Sequence, residues 1–220
     1  MYDVVEMFTS INGEGQKAGE LAFFIRLKGC NLNCSYCDTQ WANKADADYT
    51  AMTGEQIVHE IKKEGIKNIT VTGGEPLARN GMRELFELIL AAGEYVIEIE
   101  TNGSVDVSPY SGLGERICIT MDYKLAGSKM ERSMNTDNFA LLRKWDTVKF
   151  VVSDQKDLQR CYEVVSKYHL EDSVQVYISP VFGQIEPDSI VAFMKEKKWN
   201  GVHLQIQMHK VIWDPELKGV

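Results

Sequence analysis

The 220-residue sequence lacks several features that would assign a protein to a class at once. It contains no run of about 18 apolar residues, the length that a membrane-spanning helix needs. Its first residues, MYDVVEMFTS, lack the basic and then apolar layout of a secretory signal peptide. We therefore expect a cytoplasmic protein with no membrane partner, in a compartment that keeps thiols reduced.

The sequence also lacks an excess of positive charge. Its 24 Lys and Arg residues are outnumbered by 32 Asp and Glu residues, which gives a net charge of −8. Proteins that bind nucleic acid usually carry a basic surface, so we expect no nucleic-acid partner and favour a small-molecule substrate. No repeat, low-complexity segment or linker interrupts the chain, and a single domain spanning residues 1–220 is the expected organisation.

Cysteine is scarce and unevenly placed. Cys30, Cys34 and Cys37 stand together in CNLNCSYCDT, whereas Cys118 and Cys161 are isolated. The odd count of five and the short separations argue against disulfides. A structural zinc site is closed by four ligands, usually in two pairs; no second pair follows here, and zinc is the less favoured alternative. Three thiolates suit a four-iron cluster that leaves one iron open to a small chelating molecule.

Patterns typical of strands and helices alternate along the chain. The predicted strands are Leu21–Leu27, Asn68–Thr72, Tyr95–Glu100, Ile117–Met121, Thr147–Val152, Val174–Ile178 and Val202–Ile206. The predicted helices are the segment from Thr53 to Glu64, Met82–Ala92, Thr136–Lys144, Gln155–Tyr168 and Asp188–Lys197. Thr53 with Gln56 three residues later has the pattern of a helix N-terminus.

Polar or glycine-containing loops follow most of the predicted strands: GCNLNCSYC, TGGEP, ETNG, MDYK and SPVFG. Loops at the carboxyl ends of parallel strands open on one face, as in barrel enzymes. The two glycines of TGGEP remove side chains, so that the backbone there can approach a ligand closely. We predict an α/β fold with a single-domain partial (open) β/α barrel of about six parallel strands, since these are too few to close an eight-stranded barrel.

The cysteine run after one strand and Gly-Gly-Glu-Pro after the next together resemble the radical S-adenosylmethionine (SAM) superfamily. The resemblance implies that Cys30, Cys34 and Cys37 ligate a [4Fe–4S] cluster whose open iron holds SAM. Cleavage of SAM would then give a 5′-deoxyadenosyl radical that takes a hydrogen atom from the substrate, with no separate catalytic side chain. The implied SAM-binding residues are Gly73, Gly74, Glu75, Glu100, Asn102, Lys124, Ser179, Pro180, Val181 and Phe182.

A narrower resemblance covers nearly the whole chain. Residues 10–41, ETNG, VKFVVSD, SPVFG and LQIQMHK are similar to the 7-carboxy-7-deazaguanine synthase family. That family implies conversion of 6-carboxy-5,6,7,8-tetrahydropterin to 7-carboxy-7-deazaguanine with loss of ammonia, a step of 7-deazapurine and queuosine biosynthesis. The implied contacts are Ile11, Asn12, Gly13, Glu14, Arg26 and Thr72 for the substrate and Thr39 for Mg²⁺. An arginine suits a carboxylate, and Mg²⁺ prefers oxygen ligands.

The resemblance also implies protein partners, and this chain departs from the family pattern at some positions. Reduced flavodoxin or ferredoxin would supply electrons, and the chain would form a homodimer. Met121-Asp122-Tyr123-Lys124 replaces the Ser-Pro-Lys of many members and retains only the lysine. The chain continues past His209 to Val220, which puts a contact from a terminal carboxylate in doubt and leaves Pro215 a weak candidate. The alternatives are an activating enzyme for glycyl-radical enzymes, with a groove for a peptide loop, and a non-catalytic metal module.

Overall fold

The computed structural model describes residues 1–215 and 217–219 and contains one mostly parallel sheet. Its strands are β1 (Tyr2–Ile11), β2 (Leu21–Leu27), β3 (Thr50–Met52), β4 (Asn68–Gly73), β5 (Val96–Thr101), β6 (Ile117–Tyr123), β7 (Thr147–Val152), β8 (Gln175–Pro180) and β9 (Val202–Leu204). Their order in the sheet is β3-β1-β2-β4-β5-β6-β7-β8-β9.

Strands β2 and β4 to β9 run parallel, whereas β1 pairs antiparallel with both β2 and β3. The predicted α/β fold is confirmed, with seven parallel strands in the described part of the chain where about six were expected. The two antiparallel strands were not predicted. Most residues of β1 are half-buried on both faces, so its sequence does not show a clear alternation of buried and exposed positions.

Side chains of the parallel strands alternate between a helix-covered outer face and an inner face. On β7, for example, Val148, Phe150 and Val152 belong to the main core, whereas Lys149 and Val151 line an internal cavity. The same cavity receives inner-face residues from β4, β5 and β6, so the sheet curves around it. Within the described residues β3 and β9 remain separate edges. The result is the partial, open barrel that was predicted.

The helices are α1 (Gln40–Asn43), α2 (Gly54–Glu64), α3 (Met82–Ala92), α4 (Ser108–Ser111), α5 (Gln155–Tyr168), α6 (Leu170–Ser173), α7 (Pro187–Lys197) and α8 (His209–Ile212). The predicted start of α2 is confirmed, because Thr53 and Gln56 form a reciprocal capping box. The long helices cover the outer face of the sheet with buried apolar side chains such as Ile57 of α2, Phe86 of α3 and Leu158 of α5. None of the helices described is long and apolar enough to cross a membrane.

The helix predicted at Thr136–Lys144 is wrong, since the chain forms a 3₁₀ helix only over Thr136–Leu141. Asn138 explains the difference. Its buried amide donates to the carbonyl oxygens of Gly103 (3.1 Å) and Val105 (2.8 Å) and accepts from the Val107 backbone N–H (3.1 Å). Because one side chain satisfies three backbone groups of a distant loop, the segment follows that loop instead of continuing as an α-helix.

Candidate active site

A cavity of about 630 Å³ occupies the inside of the barrel and brings most of the predicted site residues together. Those that line it are Ile11, Gly13, Glu14, Arg26, Cys30, Cys34, Cys37, Thr39, Thr72, Gly73, Gly74, Glu100, Asn102, Lys124, Val181 and Phe182. Asn12, Glu75, Ser179 and Pro180 do not line it; all four are buried behind its wall. The cavity has a mouth, formed by the cysteine loop at residues 28–39, and a floor at the opposite end of the strands.

The cysteine loop is held against the turn at Ala126–Ser128. Ser35 donates its backbone N–H to the Ser128 carbonyl oxygen (3.1 Å) and its hydroxyl to the Gly127 carbonyl oxygen (2.6 Å). The Tyr36 hydroxyl donates to the Val151 carbonyl oxygen at the end of β7 (3.3 Å). These bonds fix the residues between Cys34 and Cys37 in place, so the loop shape does not depend on its thiols alone.

Side-chain amides stand beside two of the three sulfur atoms. The Asn102 Nδ2 atom lies 3.6 Å from Cys30 Sγ, and the Asn43 Nδ2 atom lies 3.9 Å from Cys37 Sγ. Burial raises the pKa of Cys30, and raises that of Cys34 to about 11 against the opposing charge of Lys124. The thiols of Cys30 and Cys34 are therefore neutral until a metal displaces their protons. Three soft donors on one loop, with N–H donors facing the sulfurs, fit an iron–sulfur cluster.

The other two cysteines lie away from this loop. Cys161 is fully buried in α5 within the core, and Cys118 lines a separate cavity of about 120 Å³ near the amino ends of the strands. Burial raises the pKa of Cys118 to about 12. In residues 1–215 and 217–219, no group of three or more His, Cys, Asp or Glu side chains is close enough together to hold a single metal ion.

The Gly-Gly-Glu-Pro turn packs directly on the cysteine loop. Gly74 donates its N–H to the Leu27 carbonyl oxygen (3.1 Å), and Glu75 donates its N–H to the Gly29 carbonyl oxygen (3.0 Å). A Cβ atom at Gly74 would collide with the Gly29 carbonyl group. The close backbone approach expected from the glycines is therefore an approach to the cysteine loop, and these two N–H groups are already engaged.

Glu75 joins this turn to the ETNG turn after β5. Its buried carboxylate accepts from the Leu77 N–H (2.9 Å), the Thr101 hydroxyl (2.8 Å) and the Asn102 N–H (2.6 Å). Burial raises the pKa of Glu75 despite these donors. Glu75 thus has no exposed surface in the cavity, and it holds Asn102, whose side-chain amide faces Cys30.

The floor is formed by residues 12–20, which link β1 to β2 and enter the barrel from the amino ends of its parallel strands. Lys17 donates to Asn68 Oδ1 (2.9 Å) at the start of β4, and Gln16 donates to the Asp146 carbonyl oxygen (3.3 Å) just before β7. Gly15 donates its N–H to Gln205 Oε1 (2.7 Å) and accepts from Gln205 Nε2 (3.0 Å). The floor is therefore tied to strands on both sides of the barrel.

Asn12 is an anchor of the floor. Its Nδ2 atom donates to Glu98 Oε2 (3.2 Å), and its Oδ1 atom accepts from the Thr70 hydroxyl (2.8 Å). Glu98 also accepts from the Thr120 hydroxyl (2.6 Å). Burial, with a smaller contribution from the charge of Glu100, raises the pKa of Glu98 to about 7. The structure places Asn12 and Glu98 beneath the cavity, where they support its floor.

Charged side chains rise from the floor and the inner face into the cavity. Lys149 Nζ lies 3.0 Å from Glu14 Oε2 and 3.5 Å from Asp122 Oδ2, and Lys124 Nζ lies 2.9 Å from the same Asp122 oxygen. Gln207 Nε2 also donates to Glu14 Oε2 (3.2 Å). Burial alone would raise the pKa of Glu14, but Lys149 and the hydrogen bonds to this carboxylate lower it to about 2. Glu14 is therefore ionised at neutral pH.

The wall formed by β1 and β2 combines a cation with aromatic rings. Arg26 donates its Nε–H to Glu6 Oε1 (2.6 Å), and its terminal amino groups donate no hydrogen bond to the described residues. Its guanidinium lies 5.8 Å from the ring centroid of Phe8, and Phe8 stacks on Phe24 with centroids 5.0 Å apart. All four residues line the cavity, so a planar ligand carrying a carboxylate has both an apolar surface and a cation available.

The remaining predicted residues lie near the mouth. The Thr39 hydroxyl is 3.6 Å from Cys37 Sγ at the edge of the cavity. Val181 and Phe182 line the cavity after β8, whereas Ser179 is fully buried behind its wall, where its hydroxyl is one of the groups that lower the pKa of Glu14. Pro215, which the sequence analysis named as a weak candidate, also lines the cavity.

Several lining residues were not predicted from sequence. Examples are Glu6 and Phe8 of β1, Lys149 of β7 and His209 of α8. Burial lowers the pKa of His209, so its imidazole is predominantly neutral at neutral pH. A signal existed for Lys149, because a lysine in the apolar strand TVKFVV must bury its charge or direct it into an internal cavity. For the others the missing information was the position of β1 in the sheet and of α8 beside the cavity.

Comparisons with known proteins agree with this geometry. Residues 24–123 match the family model described as the radical SAM superfamily. The 7-carboxy-7-deazaguanine synthase of Clostridium acetobutylicum is 52% identical over 100% of this chain and 99% of its own length. The protein of the same name from Methanospirillum hungatei is 34% identical over 96% of this chain and 86% of its own length.

Solved structures share the fold. The crystal structure of QueE from Escherichia coli superposes with a TM-score of 0.76 at 22% identity and covers 94% of both chains. The structure titled native anSMEcpe with bound AdoMet gives a TM-score of 0.56 at 18% identity and covers 83% of this chain and 62% of its own. The partial barrel of this chain is therefore an arrangement already known in experimental structures.

Proposed function

The chain belongs to the 7-carboxy-7-deazaguanine synthase family, and we propose that, as a radical SAM enzyme, it converts 6-carboxy-5,6,7,8-tetrahydropterin to 7-carboxy-7-deazaguanine with loss of ammonia. The observation that carries this proposal is the meeting of two features in one cavity. Cys30, Cys34 and Cys37 line its mouth, and the ionised Glu14 and Lys149 line its floor. A cluster site thus faces a polar pocket large enough for a small planar anion.

The [4Fe–4S] cluster and SAM are the cofactors of this enzyme class, and together they supply hydrogen-atom abstraction at an unactivated carbon. We propose that the three cysteines of the mouth hold the cluster. Residues at the ends of β4, β5, β6 and β8 would hold SAM beside it: Gly73, Gly74, Glu100, Asn102, Lys124, Val181 and Phe182. Glu75, Ser179 and Pro180 support these segments from behind the cavity wall.

The substrate would lie between the mouth and the floor. Arg26 would bind its carboxylate, because one edge of the guanidinium is held by Glu6 and the other is available. Glu14 would accept hydrogen bonds from its amino groups, and Thr72 with the backbone of Ile11 and Gly13 would complete the contacts. The hydrogen-bonded floor excludes water from the amino ends of the strands, which limits side reactions of a reactive intermediate.

Thr39 is the proposed Mg²⁺ ligand. Its hydroxyl lies in the cavity lining, 3.6 Å from Cys37 Sγ, which supports this proposal. A single protein ligand suits Mg²⁺, which keeps water and substrate oxygens in its other positions. The ion would offset negative charge on the substrate as bonds rearrange.

Partners, location and organisation are further parts of the proposal. We infer a reduced flavodoxin or ferredoxin as the electron donor, a homodimeric assembly, and a cytoplasmic location, all from the family resemblance. We also infer one domain over residues 1–220, which the single sheet in the described residues supports.

Anaerobic turnover is the direct test. The cluster-reconstituted protein would be mixed with SAM, reductant, Mg²⁺ and 6-carboxy-5,6,7,8-tetrahydropterin, and the products read by mass spectrometry. We expect 7-carboxy-7-deazaguanine, formed many times per SAM molecule consumed. Formation of 5′-deoxyadenosine without that product would keep the radical chemistry and reject this substrate, and an activating-enzyme role would then be tested next.

A further inference from the structure

Lys149 lines the cavity beside Glu14 of the floor, and both of its carboxylate partners also line the cavity. Its residue exposure is 8%, and its polar partners among the described residues are Glu14 Oε2 at 3.0 Å and Asp122 Oδ2 at 3.5 Å. A lysine ammonium carries three N–H donors. Two carboxylate contacts leave one donor for a ligand atom in the cavity.

The proposed substrate has an edge that fits an adjacent acceptor and donor. Its 2-amino-4-oxopyrimidine ring presents, in order, an amino N–H, a ring N–H and a carbonyl oxygen. A carboxylate accepts from the two N–H groups, and an ammonium group next to that carboxylate donates to the oxygen. Glu14 and Lys149 are such a pair, because their charged atoms lie 3.0 Å apart on the same side of the cavity.

We propose that Lys149 is a specificity-determining residue that recognises the 4-oxo group of the substrate while Glu14 recognises the neighbouring N–H groups. This inference rests on the proposed function, since it assumes that the ligand is an aminopyrimidinone. It adds a residue from the middle of β7 to a set of substrate contacts otherwise drawn from β1, β2, β4 and the floor.

The other cations of the cavity are less suited to this task. Arg26 is paired with Glu6 on the wall formed by β1 and β2. Lys124 lies 2.9 Å from Asp122 and close enough to Cys34 for each group to affect the pKa of the other, which places it toward the mouth. Only Lys149 in the described lining has its ammonium group beside Glu14.

The neighbours of the pair hold it in place. Gln207 donates to the same Glu14 oxygen that Lys149 contacts (3.2 Å), so the carboxylate is held from two directions. Asp122 Oδ2 is shared between Lys124 and Lys149, which keeps the Lys149 side chain directed across the barrel. A preorganised pair loses little side-chain entropy when a ligand binds.

Recognition of this edge has a kinetic signature. The same amino, N–H and carbonyl groups are present in the product, because the reaction contracts the other ring. An interaction made equally with substrate, transition state and product lowers KM without raising kcat. We therefore expect Lys149→Met to raise the KM of the pterin on the order of 10- to 100-fold, with a much smaller change in kcat.

The decisive experiment measures equilibrium binding of the product and an analogue. Calorimetry under anaerobic conditions would give Kd values for 7-carboxy-7-deazaguanine and for its 6-thio analogue, in which sulfur replaces the carbonyl oxygen recognised by Lys149. The analogue keeps both N–H donors and has a weaker acceptor. The proteins compared would be wild type, Lys149→Met, Glu14→Gln and the matched control Lys17→Met, whose lysine binds Asn68 beneath the floor.

For wild type and Lys17→Met we expect the oxo compound to bind on the order of tenfold more tightly than the thio compound. In Lys149→Met the ratio should fall to within about twofold, whereas Glu14→Gln should weaken both ligands and keep the ratio. An unchanged ratio in Lys149→Met would overturn the inference, since Lys149 would then serve only to neutralise Glu14. Wild type that binds neither compound would instead overturn the proposed function.

A second variant covers loss of folding. If Lys149→Met leaves Glu14 buried without its partner and unfolds the protein, the double variant Glu14→Gln/Lys149→Met removes both charges together. Compared with Glu14→Gln alone, the double variant should lose the oxo preference. Retention of the preference in the double variant would contradict the proposal as directly as in the single one.

Discussion

The mouth and the floor of the cavity are held together by different forces. At the mouth, the cysteine loop, the Gly-Gly-Glu-Pro turn and the ETNG turn meet mainly through backbone groups, with Glu75 as the buried link between two of them. At the floor, titratable side chains make the contacts: Lys149 pairs with Glu14, and the carboxyl group of Glu98 binds Asn12 and Thr120. We therefore expect the structure of the mouth to be sensitive to side-chain size, and the stability of the floor to be sensitive to side-chain charge and pH.

The largest expected effect, loss of the cluster, comes from adding a methyl group at the mouth. Gly74→Ala places a Cβ atom against the Gly29 carbonyl group, so the turn and the cysteine loop must separate. Overpacking of this kind costs about 1–3 kcal/mol, and here the displaced segment carries the cluster ligands. We expect loss of most of the cluster absorbance near about 400 nm after anaerobic reconstitution.

The matched control is Gly112→Ala, because a Cβ atom at Gly112 meets nothing within 4 Å and its φ of −90° is accessible to alanine. The control should reconstitute like wild type and melt at the same temperature or slightly above it. Equal cluster content in Gly74→Ala and Gly112→Ala would show that the mouth tolerates a change of shape.

At the floor, Glu14→Gln should change the acid stability. Lowering the pKa of Glu14 from 4.5 to about 2 corresponds to about 3 kcal/mol of stability. A carboxyl group with a lowered pKa stabilises the folded state above pH 4.5, and that contribution is lost as the pH falls toward 2. The variant should be less stable at pH 7 and lose less stability on acidification, as urea unfolding at a series of pH values would measure.

Glu98→Gln should change the pH dependence of stability in the opposite direction. Because the pKa of Glu98 is raised from 4.5 to about 7, the wild-type protein loses stability as the pH rises through this range. The shift corresponds to a gain in stability of at most about 3 kcal/mol. The gain in the variant is smaller because the new amide N–H groups need hydrogen-bond acceptors. Relative to wild type, the variant should gain stability between pH 5 and 8 in the same unfolding series; a parallel pH dependence would contradict the assignment.

The smallest expected effect returns to the mouth. Asn43→Ala removes an N–H donor 3.9 Å from Cys37 Sγ, and hydrogen bonds to sulfur stabilise the more negative, reduced cluster. We expect the cluster potential to fall by about 20–60 mV, the equivalent of one weak hydrogen bond in a one-electron couple. A redox titration followed by electron paramagnetic resonance would measure it, with Asn200→Ala, on the exposed turn after α7, as the control.

The same contrast separates what sequence could predict from what it could not. The mouth consists of short contiguous segments, so the spacing of Cys30, Cys34 and Cys37 predicted a cluster site, and the family resemblance added Gly73 and Gly74 to it. The parallel strands and long helices were predicted because each carries its own local hydrophobic pattern. The 3₁₀ segment at Thr136–Leu141 was missed because contacts of Asn138 with a distant loop override the local pattern.

The floor depended on pairings that no local pattern contains. Glu14 meets Lys149, which is 135 positions away, and Gln207, which is 193 positions away. The roles of Asn12 and Glu98 beneath the cavity follow from the position of residues 12–20 inside the barrel, and that position depends on β1, an element whose half-buried residues gave no clear strand pattern. Alternation on β5 does place Glu98 and Glu100 on one face, but only the fold shows which of them reaches the cavity.

The contact between Gly15 and Gln205 has a consequence for the order in which the protein is made. These residues are 190 positions apart, so a chain emerging from the ribosome can assemble β1 to β8 before the floor has its partner. Contacts of such long range form late and slowly. We expect nascent chains that end before Gln205 to hold much of the sheet with an unsealed substrate pocket, so that substrate binding is acquired only in the last stage of synthesis.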